Sequence, residues 1–277
     1  MSLNNFTSTV WSETLYKELQ KNYVGVKLCS REFEGDIKGQ GDRVKICGIS
    51  PITVFDYSKN TDMPMAEVLN DNERTLIIDQ AKGFNFFIDD VDAAQSRPNI
   101  MTEAMRRASD ALADVADSYI YSLTDSNVAT ITNDSVTSES IISTLADARL
   151  KLMENNVPSN ATISLEVSPA IEQKLVLSKV LRSTDNTEAL AKGYVGSFMG
   201  FDVYVSNNIV KNGNAYKCIA RTNRAIAFAE QINSVTAYEP ELRHGDAVKG
   251  LHLYGAKIIY PGEMVFLNLT PAQEANI

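Results

Sequence analysis

The run from Gly41 to Leu123 constrains this chain most: four strand-like segments are followed by one uninterrupted amphipathic helix. Arg43 to Ile49 alternates, with Val44 and Ile46 on one face and Arg43 and Lys45 on the other. Ile52 to Tyr57 follows a bend at Ser50-Pro51. Leu76-Ile77-Ile78 and Phe84 to Ile88 read as two further strands, divided by Lys82-Gly83. Between the second and third strands lies Ser58 to Glu73, sixteen residues and too long for a hairpin turn. A β-arm that leaves the core is hard to stabilise in a monomer. It is stabilised when a neighbouring subunit covers it, so the pattern predicts assembly rather than catalysis.

The helix opens at Ser96-Arg97-Pro98, a capping serine followed by proline in the first turn. Met101, Ala104, Met105, Ala108, Ala111, Leu112, Val115, Tyr119 and Leu123 recur at intervals of three and four. That predicts one apolar stripe over about 25 residues, roughly 37 Å long, with Arg106, Arg107, Asp110, Asp114 and Asp117 off it. Residues 124–137 read as a polar linker, 138–154 as a helix stopped by Asn155-Asn156-Val157-Pro158, 161–167 as a strand and 169–178 as a third helix. Residues 181–192 read as loop. Strands are predicted at 201–205, 216–220, 225–229 and 251–260, with a turn at Lys211-Asn212-Gly213-Asn214. Ahead of all this, 1–38 reads as an N-terminal arm with a short helix over 12–24, ordered only in part unless a partner covers it. The order is α+β rather than regular βαβ alternation.

Composition excludes several function classes. A net charge of −9 argues against a surface that wraps nucleic acid through phosphate contacts. Cys29, Cys47 and Cys218 form no CxxC pair, so neither a zinc site nor a redox dithiol is expected. No signal peptide is expected at Met1 to Val10, and no stretch reaches the ~18 apolar residues of a membrane span. Asp89-Asp90-Val91-Asp92 lacks the spacing of a calcium loop, and acids ahead of a helix suit its dipole. The glycines at 193, 196 and 200 make no phosphate-binding loop. The two histidines, His244 and His252, stand apart from any catalytic constellation. No enzyme activity, catalytic residue, cofactor or metal is expected.

Several stretches carry a resemblance. Gly41-Asp42-Arg43-Val44-Lys45-Ile46 resembles the opening of the extended loop in tailed-phage major capsid proteins. Ile78 to Lys82, Phe84 to Phe86 and Asp89 to Gln95 resemble that loop's return into the spine helix. Gly200 to Asn208 and Tyr254 to Pro261 are similar to the closing strands of the same coat proteins, and Asn5-Phe6 with Trp11-Ser12 to their opening. The likeness spans nearly the whole chain in order.

The resemblance implies the Hong Kong 97 type capsid fold. Mapped here, 1–38 would be the N-terminal arm and 39–88 the extended β-loop. The peripheral domain would be 89–154 and 226–277, with its spine helix at 98–123, and the axial domain 155–225. It implies the major coat protein of a tailed phage or prophage, whose copies assemble as pentamers and hexamers into an icosahedral shell around double-stranded DNA. The DNA would be packaged without sequence-specific binding. Only about forty residues precede the loop, so a separate scaffolding protein is expected, beside a portal protein. The place would be the virion capsid, assembled in the host cytoplasm. Loop lysines Lys38 and Lys59 have no identifiable asparagine partner for a cross-link, and none is expected. The alternative is an encapsulin-type nanocompartment shell enclosing a cargo enzyme, which uses the same fold. Candidate subunit-interface residues are Lys59, Asp62, Glu67, Asp71 and Glu73 on the loop, the acids meeting Arg106 and Arg107 on a neighbour's spine helix.

Overall fold

The computed structural model describes residues 15, 18, 19, 23–32, 43–49, 54, 56, 59, 62, 65, 71–89, 100–158, 160–178, 182–183, 194–240 and 245–273. Its longest helix is α1 (Ile100–Ser122). Two shorter ones follow, α2 (Ser140–Glu154) and α3 (Pro169–Leu177). The strands are β1 (Arg43–Ile49), β2 (Asp71–Ile77), β3 (Gln80–Asp89), β4 (Ala129–Val136), β5 (Ile163–Val167), β6 (Arg182–Ser183), β7 (Tyr194–Phe198), β8 (Phe201–Val205), β9 (Lys211–Asn212), β10 (Ala215–Thr222), β11 (Ile226–Tyr238), β12 (Gly245–Ile258) and β13 (Met264–Pro271).

Among the described residues these strands form three sheets. β1 and β2 form an antiparallel pair in register from Arg43↔Ile77 to Ile49↔Asp71. β11, β12 and β3 form a three-stranded antiparallel sheet. The third runs β4-β13-β10-β5-β8-β7-β6, with β9 attached to β10. Its β13–β4 and β5–β8 pairs are parallel.

Strict alternation gives this large sheet two different faces. Cys218, Ala220, Val265, Leu267, Leu165 and Val203 pack beneath α2 and α3, which contribute Ile141, Leu145, Ala148, Leu152, Ile171 and Leu175. Ile219, Met264 and Phe266 point the other way, into a core shared with α1 and the three-stranded sheet. Fully burying such a side chain stabilises by about 1.5–3 kcal/mol. α1 is therefore held between two sheets.

Local sequence explains the helix ends. Thr137 and Ser140 cap α2 reciprocally: each side-chain oxygen accepts from the other's amide, at 2.9 and 3.2 Å. Asn156 closes α2 in the left-handed region (φ 58°), and the Val157 amide returns to the Leu152 carbonyl. Pro169 sits in the first turn of α3. Met199 and Gly200, both at positive φ, make the two-residue turn that joins β7 to β8.

The structure corrects four expectations. The residues expected to form a polar linker contain β4, whose Thr130, Thr132 and Asp134 are exposed at a sheet edge; polar alternation there is a strand with one wet face. Lys82-Gly83 lies inside β3, and the break falls at Ile78-Asp79. β7 and β13 are strands where none was expected. The buried seam of α1 takes in Met105, Ser109, Leu112, Ala113, Ala116, Asp117, Ile120 and Tyr121, while Ala111 and Val115 are exposed. Reading only apolar residues misaligned that seam, because Asp117 is buried by what it binds. Leu15, Leu19, Tyr23, Val26 and Cys29 of the expected arm are buried in the core around α1.

Candidate assembly surface

The β1–β2 pair is seated on the neighbouring sheet through its described apolar residues. Val44, Ile46, Leu76 and Ile78 bury against Ala227, Ala229, Leu253 and Ile259 of the neighbouring sheet and its end. Gly255 permits the approach: a Cβ there would lie 2.2 Å from the Ile77 carbonyl oxygen. Arg74 donates to the Ile258 carbonyl at 3.0 Å. The Tyr119 hydroxyl of α1 donates to Asp79 Oδ1 at 3.0 Å, so the arm root is tied to the long helix as well. Burial, then the bond to Asp79, holds that hydroxyl's pKa well above the usual phenol value. A cleft of about 240 Å³ lies here, bordered by Thr75, Ile77, Tyr119, Leu123 and Lys257.

Beyond this root the described residues turn outward. Val54 is 92% exposed and Met65 97%. Lys59 and Asp62 are exposed beside them. Asp71 and Glu73 fall within β2, opposite Ile49 and Cys47, rather than in the connection. Glu67 lies outside the described residues, as do most of Ile52 to Tyr57. β3, although inside the 39–88 span, pairs with β12 from Tyr254↔Gln80 to Gly245↔Asp89.

Arg106 and Arg107 are exposed on α1, and both already hold Glu103. Arg106 meets it at 2.8 Å and Arg107 at 3.2 Å, and Arg106 also reaches Asp110 at 3.4 Å. Hydrogen bonds from Arg106, then Arg107, hold the Glu103 carboxyl down to about 2. The structure brings the two arginines together with an acid of their own helix; among the described residues no loop acid pairs with them.

A second group of charges is buried and was missed by reading the sequence. Arg221 of β10 and Glu166 of β5 are fully buried and 2.5 Å apart. Arg221 also donates to the carbonyls of Gly25 (2.8 Å) and Leu28 (2.9 Å). Burial alone would lower its pKa; its contacts with Cys29 and Glu166 outweigh that and raise it. Asp117 of α1 accepts the amides of Val24 and Val26, each at 2.9 Å, and burial pushes its carboxyl up to about 6. Glu230 of β11 receives the Tyr23 hydroxyl at 2.5 Å and pairs with Arg31 and His252, both at 2.9 Å. Lys217 donates to the Tyr121 carbonyl at 3.3 Å and to that of Leu123. It thereby meets the negative end of the helix dipole, while burial lowers its pKa to about 8. One signal was available: Glu166, Arg221 and Glu230 each interrupt an apolar strand, and opposite charges in such places mark buried pairs.

His252 is thus a buried partner of Glu230 on a sheet face, and His244 lies outside the described residues. Among the described residues no cluster of three or more histidine, cysteine or acidic side chains is placed to hold a metal. No helix among them is long and apolar enough to cross a membrane.

The long helix α1 lies between two sheets, and the β1–β2 pair is buried at its root. The profile of the phage capsid proteins matches residues 73–265, and the chain belongs to that family. Solved structures agree. A chain from Mycobacterium phage Che8 is 26% identical, covering 97% of this chain and 94% of that one, with a TM-score of 0.68. The capsid of Ralstonia phage GP4 is 12% identical over 94% and 92%, also at 0.68. The holo-SrpI encapsulin complex of Synechococcus elongatus PCC 7942 is 9% identical over 87% and 88%, at 0.59. At such low identity the last two show the fold alone, which is the Hong Kong 97 type. No curated protein matches significantly. The protein is a capsid shell subunit, and this family implies a structural rather than a catalytic role.

Proposed function

We propose that the chain is the major coat protein of a tailed phage or prophage. Its copies, as pentamers and hexamers, close an icosahedral shell around double-stranded DNA, with a separate scaffolding protein and a portal, in the host cytoplasm. The domain division 1–38, 39–88, 89–154 with 226–277, and 155–225 is part of this reading. The observation that carries it is the arm: its root is buried in its own chain, while Val54 and Met65 beyond that root are almost wholly exposed. Apolar side chains so placed lower the free energy when a neighbour covers them. Many modest contacts of this kind become strong in a closed shell, because each raises the effective concentration for the next.

Negative-stain electron microscopy with light scattering on the purified protein tests the reading. Closed shells, or capsomers that close when a scaffold is added, are the expected result. A monomer or small dimer that never assembles overturns it. Shells that form in the producing cells around one co-purifying enzyme, and not around DNA, would select the encapsulin alternative.

A further inference from the structure

Tyr23 to Arg31 contributes only a single 3-10 turn, Val26–Leu28, yet it touches most of the layers. Most of the polar contacts it receives fall on its main chain. Asp117 holds two of its amides and Arg221 two of its carbonyls. Ser30 adds a one-residue bridge to β11, giving its amide to Ile226 and taking that of Phe228, both at 2.9 Å. Tyr23 and Arg31, at the two ends, both reach Glu230, and Arg31 lies over the rings of Tyr23 and Phe228 at 5.6 and 5.8 Å. Val26 and Cys29 are the apolar anchors between them.

Without this stretch the α1 core loses Tyr23, Val26 and Cys29 and Arg221 loses the Gly25 and Leu28 carbonyls, but other partners stay. Arg221 keeps Glu166, and Glu230 keeps His252. The core beneath α2 and α3 contains none of its residues. Asp117 loses most, since its hydrogen bonds go to the Val24 and Val26 amides of this stretch. The segment is bound as a peptide ligand is bound, by backbone recognition and a few anchors.

We infer that Tyr23–Arg31 is a detachable strap: the body holds it as a peptide in cis, it opens as a unit before the body unfolds, and its closure locks α1 against both sheets. Its consequence for assembly rests on the shell reading: a subunit with the strap open holds its helix loosely and does not close shells.

Hydrogen exchange on the unassembled full-length protein tests the strap without reference to shells. The amides of Val24, Val26 and Ser30 are expected to exchange at least about tenfold faster than those of Cys218 to Ala220 in β10, as sub-global opening requires. Asp117→Ala is expected to speed tryptic cleavage after Lys27 about tenfold while β10 keeps its protection. Strap amides that exchange in step with β10 overturn the inference, as does a variant that loosens β10 equally or leaves Lys27 as protected as before. If Asp117→Ala does not fold, exchange in the unmodified protein still decides. Shell yield is read last: Asp117→Ala should lower it where the parent forms shells, and an undiminished yield overturns the assembly consequence. A parent that never forms shells refutes the shell reading and leaves the exchange result standing.

Discussion

Arg221 and Glu166 have no water to turn to when one of them is lost. Both are fully buried, so removing one strands the other's charge, which costs about 3–5 kcal/mol. Arg221→Met or Glu166→Met alone should therefore lower the urea midpoint sharply. The double variant should recover much of the loss, though not all, because Arg221 also serves the carbonyls of Gly25 and Leu28. Denaturant titration of the three variants checks this, and additive losses would count against the pairing. Asp117 makes a different prediction, one about pH. Its carboxyl sits near 6 in the fold against an ordinary 3.8. A raised acid favours the fold when protonated, so its contribution is complete below about pH 4 and is lost as pH rises through 6. At about 1.36 kcal/mol per unit the swing is on the order of 3 kcal/mol. Asp117→Asn should remove that slope, so that the difference between the two stability profiles closes as pH falls. Glu166 and Arg221 each interrupt an apolar strand, but their pairing does not show in the sequence. Glu166 and Arg221 lie 55 positions apart, and only the β5–β10 register brings them together.

Elements were legible where one periodicity dominated. α2 and α3 fall where the spacing of Ile141, Leu145, Ala148 and Leu152 and the proline at 169 placed them. β1 matches its alternation, and β5 the apolar side of its own. Legibility failed where the partner decides the element. β4 reads as linker because its strand character comes from parallel pairing with β13, across more than a hundred residues of chain. β13 was passed over after the strand ending near Tyr260, although Met264 to Leu267 is continuously apolar because both of its faces are covered. The seating of β1–β2 on β12 is equally hidden, since it depends on one glycine. A side chain at Gly255 meets the backbone of Ile77 and Ile78, which cannot move aside as a flexible side chain would. Gly255→Val should lift the arm root off β12 and speed exchange of the Val44 and Ile46 amides, while β10 and β13 stay protected. Unchanged exchange in β1 would show that the arm is held by something other than this contact.

At the scale of the whole molecule, the acidic balance of −9 makes like-charged subunits repel, so contacts between copies need local compensation. The proposed pairing of a neighbour's loop acids with Arg106 and Arg107 supplies it, but both guanidiniums are already shared with Glu103. A loop acid must therefore compete with, or join, an acid of the same helix. Glu103→Gln removes the competitor and leaves both arginines in place. If the pairing operates, that variant should assemble at a lower protein concentration than the parent at about 0.1 M salt. Arg106→Gln with Arg107→Gln should need a higher one. An exposed pair contributes only about 0.2–1 kcal/mol, so each contact shifts association a few-fold, and the shift grows across the many contacts of a shell. Near 1 M salt, where screening acts within about 3 Å, the three proteins should converge. Light scattering against concentration at both salts reads this directly. Three curves that coincide already at low salt would exclude Arg106 and Arg107 from the interface and leave the apolar arm, with Val54 and Met65, as the contact that drives assembly.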